Sequence, residues 1–141
     1  MRDRKRRART VLVVDDDRAY RAMMAQALEA LRVDVLEARD GYQGVGLVSR
    51  RWRDLALLIV DTEMPGLHGW DVIRYARMKA PRLRVLRLSC TQDRLPGAAY
   101  EGLHSLPTLA KPFSLPALVA ALPPTIRLPG APGPRPVRPH S

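Results

Sequence analysis

The chain has 141 residues, 46% of them hydrophobic, and carries a formal net charge of +10. This length suits one domain with a sizeable core and is short for two. Its longest apolar run is six residues, so we expect no membrane span, and a basic start followed by three aspartates does not resemble a secretory signal. A single cysteine, Cys90, excludes an internal disulfide and predicts a cytoplasmic protein.

Most of the positive charge lies near the two ends of the chain. Residues 1–10 carry +5 and residues 123–141 carry +3, whereas residues 11–122 carry only +2. We expect a basic disordered arm at 1–10 and a proline-rich disordered tail at 123–141, which holds seven of the thirteen prolines. The arm is either solvated or attracted to phosphates. Without interleaved aromatics or a reading helix, nucleic acid is the less favoured partner.

The first predicted elements alternate between strand and helix. An apolar strand at 11–14 ends in three aspartates, and apolar spacing then predicts a helix at 18–31, capped by Asp17. A short strand at 33–36 is followed by a helix at 42–51, which is weakly encoded because Gly44 and Gly46 each cost up to roughly 1 kcal/mol relative to Ala.

The central predicted strand is the run of six branched or small apolar residues at 55–60, which is typical of a strand buried on both faces. Asp61 follows directly, and Pro65 and Gly66 then force a loop. Since open α/β sheets bind ligands at the carboxyl ends of their strands, Asp61 is the candidate chemical centre.

The second half continues the same alternation. We predict a helix at 69–79, a strand at 83–88 that ends at Ser89, a short or irregular helix within 92–105, and a strand at 106–110. Ser114 then caps a last helix at 115–122. Five strand–helix units predict an α/β protein with a doubly wound parallel sheet and helices on both faces.

Four strands of this sheet would end at the same edge in polar residues, namely Asp15 and Asp16, Asp61, Ser89 and Lys111. Clustered carboxylates ionise together at neutral pH only beside a cation, and short acidic side chains suit Mg²⁺. A lysine and a hydroxyl opposite them would suit a phosphoryl group. An aspartyl phosphate is therefore chemically reasonable here.

These residues resemble the receiver domain of bacterial two-component response regulators. The resemblance covers residues 11–122 and rests on residues 11–17, on Asp61 with the loop 64–66 and Gly69, on Ser89, and on residues 111–113. The separations of 45 residues from Asp16 to Asp61, 28 to Ser89 and 22 to Lys111 match those of the family.

The resemblance implies a flavodoxin-like sheet of order 2-1-3-4-5 and a role for each site residue. Asp61 would accept a phosphoryl group from a sensor histidine kinase or phosphotransfer protein, and the signal would pass to a downstream protein target. Mg²⁺ would be held by Asp15, Asp16, Asp61 and the backbone carbonyl of Glu63, while Ser89 and Lys111 would contact phosphoryl oxygens. Such a domain is a phospho-acceptor with at most slow autodephosphorylation rather than an enzyme.

Three residues depart from the family pattern. Thr108 stands where the family's switch usually has an aromatic residue, and His68 replaces an aspartate of the loop. Glu63 adds negative charge two residues after the acceptor.

Two alternatives stay open. A pseudo-receiver would keep the fold and act as a protein-binding module without phosphorylation. A haloacid-dehalogenase-type phosphohydrolase would use Asp15 as nucleophile and Asp17 as general acid, although Ala19 stands where such enzymes carry Thr or Val. We expect the receiver to stand alone, since a proline-rich tail of this length is too short for a DNA-binding unit.

Overall fold

The structure is a computed structural model that describes residues 9–90 and 102–127. Its centre is a five-stranded parallel sheet of order β2-β1-β3-β4-β5, which confirms the predicted flavodoxin-like order. The strands are β1 (Thr10–Val14), β2 (Asp34–Ala38), β3 (Leu55–Asp61), β4 (Arg84–Ser89) and β5 (Thr108–Ala110).

Helices cover both faces of the sheet. The α-helices are α1 (Arg18–Ala30), α2 (Gly41–Arg51), α3 (Gly69–Lys79), α4 (Leu115–Ala121) and the single turn α5 (Pro124–Arg127), with 3₁₀ turns at Trp52–Asp54 and Leu103–Ser105. α1, α4 and α5 pack on one face, and α2 and α3 pack on the other. Within the described part of the chain, no helix combines the length and apolar character needed to cross a membrane.

The two central strands explain the continuous apolar runs in the sequence. β1 is buried along its whole length, and β3 is buried except at Ala56. Successive side chains point to opposite faces, so Leu12 and Leu58 join one core cluster while Val11 and Leu57 join the other. A strand buried on both faces needs apolar residues at every position, which is the pattern found at 11–14 and 55–60.

Tertiary packing forms α2 in spite of its glycines. A Cβ on Gly44 would lie 3.1 Å from the methyl carbons of Val14, so the small residue lets the helix approach β1 closely. Asp40 caps the helix by accepting a hydrogen bond from Gln43 N at 2.8 Å. The weak local propensity is therefore outweighed by packing and capping.

The predicted domain boundaries need correction at both ends. Thr10 belongs to β1 rather than to the basic arm, because it pairs with Asp34 and Leu55. The tail does not begin at residue 123, because α5 follows and Ile126 is buried in the core at 1% exposure.

Hydrogen bonds of Arg9 connect the first described residues of the chain to the last ones. The Arg9 guanidinium donates to the carbonyl oxygens of Thr125 at 2.7 Å and of Leu31 at 3.1 Å. The domain therefore includes residues 9–127 of the described chain. Residues 1–8 and 128–141, and most of the segment predicted as a short or irregular helix within 92–105, lie outside the described residues.

Candidate functional site

The polar residues predicted to converge do lie at the carboxyl edge of the sheet. Asp15 directly follows β1, Asp61 ends β3, Ser89 ends β4 and Lys111 directly follows β5. Since β1, β3, β4 and β5 are consecutive neighbours in the sheet, four separate segments of sequence meet along one line. The parallel topology alone produces this arrangement.

Three carboxylates form the acidic part of the site. One carboxylate oxygen each from Asp15, Asp16 and Asp61 lies within 4.8 Å of the others. Asp15 is fully buried and Asp61 is 6% exposed, whereas Asp16 is exposed and faces solvent. The group therefore has a buried floor and one open side.

Backbone amides fix two of these carboxylates. Asp17 N donates to Asp15 Oδ1 at 2.9 Å, and Glu63 N donates to Asp61 Oδ1 at 2.9 Å. Each bond links a strand-end aspartate to the amide two residues later, which is the local pattern of an Asx turn. In both cases Oδ2 is left for another partner.

That partner is Lys111. Its Nζ lies 2.8 Å from Asp15 Oδ2, as an ion pair outside hydrogen-bond geometry, and it donates to Asp61 Oδ2 at 3.1 Å. The backbone N of Lys111 donates to Ser89 O at 2.8 Å, which continues the sheet pattern beyond β5. One ammonium group thus joins the first and third strands across the site.

The electrostatics of the trio show a shortage of positive charge. Burial raises the pKa of Asp15 from 3.8 to about 6, against the opposing effects of Lys111 and the Asp17 amide, and the charge of Asp61 raises it further. Burial alone would lower the pKa of Lys111, but its close contacts with the carboxylates of Asp15 and Asp61 prevail and raise it. One ammonium does not neutralise three carboxylates.

The donor set fits a hard divalent cation. Carboxylate oxygens are the ligands that Mg²⁺ prefers, and the exposed side at Asp16 leaves room for water ligands. A cation here would also offset the effect of burial that makes Asp15 difficult to ionise. The structure therefore supplies an acidic cluster with the chemistry and spacing of a metal site.

Gly69 fixes the backbone behind Asp61. A Cβ at Gly69 would lie 1.9 Å from Asp61 O and 2.7 Å from Thr62 Cα, so no other residue fits without displacing the backbone of Asp61 and Thr62. Gly66, at φ +80°, turns the intervening loop in the left-handed region that favours glycine. The loop and the start of α3 are therefore pressed against the end of β3.

Glu63 lies at the mouth of the site. Its side chain is exposed, and its Oε1 accepts a hydrogen bond from Cys90 Sγ at 3.0 Å. Cys90 follows Ser89, so this bond connects the loop after β3 to the end of β4. From the sequence, Cys90 serves only to exclude an internal disulfide, and its spacing from Glu63 carries no signal that could have revealed the pair.

The other two departures from the family pattern are exposed. His68 precedes α3 as its N-terminal cap residue without a side-chain cap bond, and Thr108 begins β5 with its hydroxyl donating to Leu106 O at 2.9 Å. Neither side chain belongs to the group formed by the three carboxylates and Lys111.

Sequence reasoning missed the aromatic support of Lys111. Its Nζ lies 4.3 Å from the centre of the Tyr20 ring, which in turn packs against Phe113 at 5.2 Å between centroids. The apolar spacing that predicts a helix at 18–31 includes Tyr20 but gives it no role at the site. Its position three residues after Asp17 was the available signal, because the start of that helix faces the same edge.

The comparisons with known proteins agree with this geometry. The family model described as the response regulator receiver domain matches residues 11–123. The chain therefore belongs to the receiver domain family of two-component response regulators, as the sequence predicted. The receiver is a phospho-acceptor signalling domain rather than a typical enzyme, and neither the pseudo-receiver nor the phosphohydrolase is favoured.

Curated relatives support the same assignment. The chain is 32% identical over 116 residues to the probable transcriptional regulatory protein TcrX of Mycobacterium tuberculosis, covering 80% of this chain and 47% of that protein. It is 32% identical over 120 residues to the DNA-binding transcriptional regulator NtrC of Azospirillum brasilense, covering 82% of this chain and 24% of that protein. The chain thus spans about half the length of the first of these relatives and about a quarter of the length of the second.

Solved receiver structures share the fold. A response regulator receiver domain protein from Clostridium thermocellum matches with a TM-score of 0.69 at 26% identity, covering 79% of this chain and 89% of that one. The chemotaxis protein CheY4 of Vibrio cholerae matches with a TM-score of 0.66 at 26% identity, covering 79% and 92% of the two chains.

Proposed function

We propose that this receiver accepts a phosphoryl group on Asp61 in a reaction that needs Mg²⁺ held by Asp15, Asp16, Asp61 and the carbonyl of Glu63. The observation that carries the proposal is the shared use of Lys111 by Asp15 and Asp61, at 2.8 and 3.1 Å, beside a third carboxylate. An aspartate with a purely structural role at a strand end does not require a shared lysine and two further carboxylates beside it.

The chemistry assigns one role to each residue. An Asp61 carboxylate oxygen attacks the phosphorus of a phosphohistidine, the P–N bond breaks, and the imidazole nitrogen keeps the electron pair. Bound Mg²⁺ would supply charge neutralisation for the phosphoryl oxygens. Lys111, already 3.1 Å from Asp61 Oδ2, would neutralise the charge of the transferred phosphoryl group. The Ser89 hydroxyl would donate a hydrogen bond to a phosphoryl oxygen.

Burial makes Asp61 a reactive acceptor in this scheme. With 6% exposure it is screened from bulk water, and the Glu63 amide holds Oδ1 so that the carboxylate has one orientation. Water exclusion also slows the loss of the acyl phosphate, so that the phosphorylated state would outlast the transfer. We place the exchange in the cytoplasm, with a sensor histidine kinase or phosphotransfer protein as donor and a protein target downstream.

The test is incubation of the chain with a small phosphodonor and Mg²⁺, followed by peptide mapping of an acid-stable, base-labile phosphoryl group. We expect one group on Asp61, no labelling of Asp61→Asn, and no labelling when the metal is chelated. Labelling of Asp15 with continuous turnover would support the phosphohydrolase, and no labelling of a folded protein would support the pseudo-receiver. Either of these results contradicts the proposal.

A further inference from the structure

The amino edge of the sheet, opposite the site, carries a dense group of exposed cations. It is formed by the ends of α2 and α3 and by the connections that lead into β3 and β4. We define the basic edge as the six exposed residues Arg50, Arg53, Arg77, Lys79, Arg82 and Arg84. The acid in these connections, Asp54, is bonded to Arg51 at 2.9 Å.

The fold brings these cations to the same edge of the sheet. α2 and α3 pack side by side on one face, so their last turns end at the same level of the sheet. β4 lies beside β3 with Arg84 paired to Leu57, which brings Arg82 and Arg84 next to the turn that precedes β3. In the described part of the chain, none of the six has an ion-pair partner.

Helix stabilisation accounts for only part of this charge. Arg50, Arg77 and Lys79 occupy last turns of helices, where cations interact favourably with the helix dipole. Arg53, Arg82 and Arg84 lie outside the α-helices and gain nothing from that effect. Asp54, the acid of these connections, is already bonded to Arg51, so the six like charges gathered at this edge repel one another and would be neutralised by an external anion.

We propose that the basic edge binds the phosphate backbone of double-stranded nucleic acid without reading its sequence. Five of the six residues are arginines, whose planar guanidinium group matches phosphate oxygens in pairs. The cations lie at helix ends, at the start of β4 and in the short connections between these elements, and so form a rigid surface that suits a rigid polyanion. The carboxyl edge carries the acidic trio, which repels phosphates, so a nucleic acid would be attracted to the basic edge alone.

Other anionic partners fit less well. Binders of single strands add aromatic platforms for the bases, whereas Trp52 here is half-buried and already covered by the Arg53 guanidinium at 4.6 Å. Membrane-surface proteins insert a large apolar face. Among the described residues, this edge exposes one large hydrophobic side chain, Met78, because the other two, Tyr42 and Leu115, lie at helix starts on the carboxyl edge.

The first and last described residues lie at the same edge of the sheet. Arg9 joins the start of the described chain to Thr125 and Leu31. The sequence carries five basic residues and one acid before residue 9, and two basic residues after Arg127. The sequence-level preference against nucleic acid rested on these ends alone; the basic edge is a separate feature that only the fold assembles.

The test compares two double variants with the same change in charge. Arg82→Gln/Arg84→Gln removes two cations of the basic edge, and Arg18→Gln/Arg39→Gln removes two exposed cations from the carboxyl side of the full chain. The probe is a short fluorescent DNA duplex of arbitrary sequence, titrated at several salt concentrations and followed by anisotropy.

We expect wild-type affinity to fall steeply with salt, and the Arg82→Gln/Arg84→Gln variant to bind about tenfold more weakly with a log–log salt slope smaller by about 2. The Arg18→Gln/Arg39→Gln control should bind as the wild type does. Thermal unfolding of both variants checks that they are folded.

Four results would overturn the proposal. Equal losses in both variants would mean that net charge alone binds the duplex, and no loss in either would assign binding to other residues. No wild-type binding at low salt would remove the partner. Binding to vesicles containing phosphatidylglycerol but not to the duplex would make the edge a membrane surface.

Discussion

At the carboxyl edge of the sheet, Asp15 and Asp61 are buried and share one lysine, whereas at the amino edge Arg82 and Arg84 are exposed and have no described ion-pair partner. Burial makes the first group interdependent: the charges of Lys111 and Asp61 alter the pKa of Asp15, and each backbone segment is fixed by its neighbours. Exposure makes the second group nearly independent, since water and salt screen each cation. Substitutions should therefore be costly and coupled at one edge and mild and additive at the other.

The largest effect on folding should come from the backbone of the carboxyl edge. Gly69→Ala places a Cβ 1.9 Å from Asp61 O, where two backbone segments must move apart. We expect the free energy of unfolding to fall by about 3 kcal/mol or more, the cost of overpacking against atoms that cannot rotate away. Urea denaturation measures the change.

Gly46→Ala is the matched control for this prediction. The nearest atom to its new Cβ would be the flexible end of Arg50, at 3.4 Å, so alanine should stabilise α2 by up to roughly 1 kcal/mol. Two glycine-to-alanine changes should thus act in opposite directions. Equal effects would mean that the end of β3 is not tightly packed.

A smaller but pH-dependent effect should come from Asp15. Its pKa is raised by burial from 3.8 to about 6, so between these pH values the folded protein holds a proton that the unfolded chain releases. Rising pH therefore favours unfolding of the metal-free protein. Relative to Asp15→Asn, the wild type should lose on the order of 2 kcal/mol of stability as pH rises from about 4 to neutral.

Urea denaturation at several pH values with a chelator present measures this difference. Adding Mg²⁺ should remove most of it, because a cation stabilises the ionised form of Asp15. A difference that stays constant with pH would show that Asp15 is ordinarily ionised and not coupled to its neighbours.

The smallest effect should come from the exposed rim of the same edge. Glu63→Asn removes a negative charge beside the incoming phosphoryl group. Labelling by a small anionic donor should therefore become about two- to fivefold faster at low salt, and the lifetime of phospho-Asp61 should change. Intact-protein mass spectrometry follows both rates. Glu29→Gln, an exposed acid near the end of α1, should leave them unchanged; a similar increase there would reduce the effect to net charge.

How much of this the sequence predicts depends on whether the cause is local or distant. Caps such as Asp17 and Ser114 and the apolar runs of β1 and β3 follow from neighbours in the chain, and these predictions are confirmed. The convergence at the carboxyl edge also follows, because parallel topology places all strand ends together.

Features that depend on long-range packing were not predictable. Ile126 follows two prolines in the sequence, and it becomes part of the core only through the buried cluster that it shares with Leu118 and Leu122 and the bond between Arg9 and Thr125. The Tyr20 ring beneath Lys111 and the Cys90–Glu63 bond are likewise tertiary pairs. The basic edge shows the same limit, since its six cations are separated in sequence and become one surface only through the packing of α2 on α3.

The most direct test of the site is calorimetric titration of the full chain with Mg²⁺ at neutral pH. We expect the wild type to bind one ion per chain, and Asp16→Asn and Asp61→Asn to lose most of the affinity for Mg²⁺. The wild-type affinity should fall as the pH drops below about 6, because Asp15 must lose its proton to bind the ion. Asp17→Asn, which keeps an oxygen to cap α1, should bind as the wild type does. Unchanged affinity in Asp16→Asn, or equal loss in Asp17→Asn, would contradict a single cation site built from Asp15, Asp16 and Asp61.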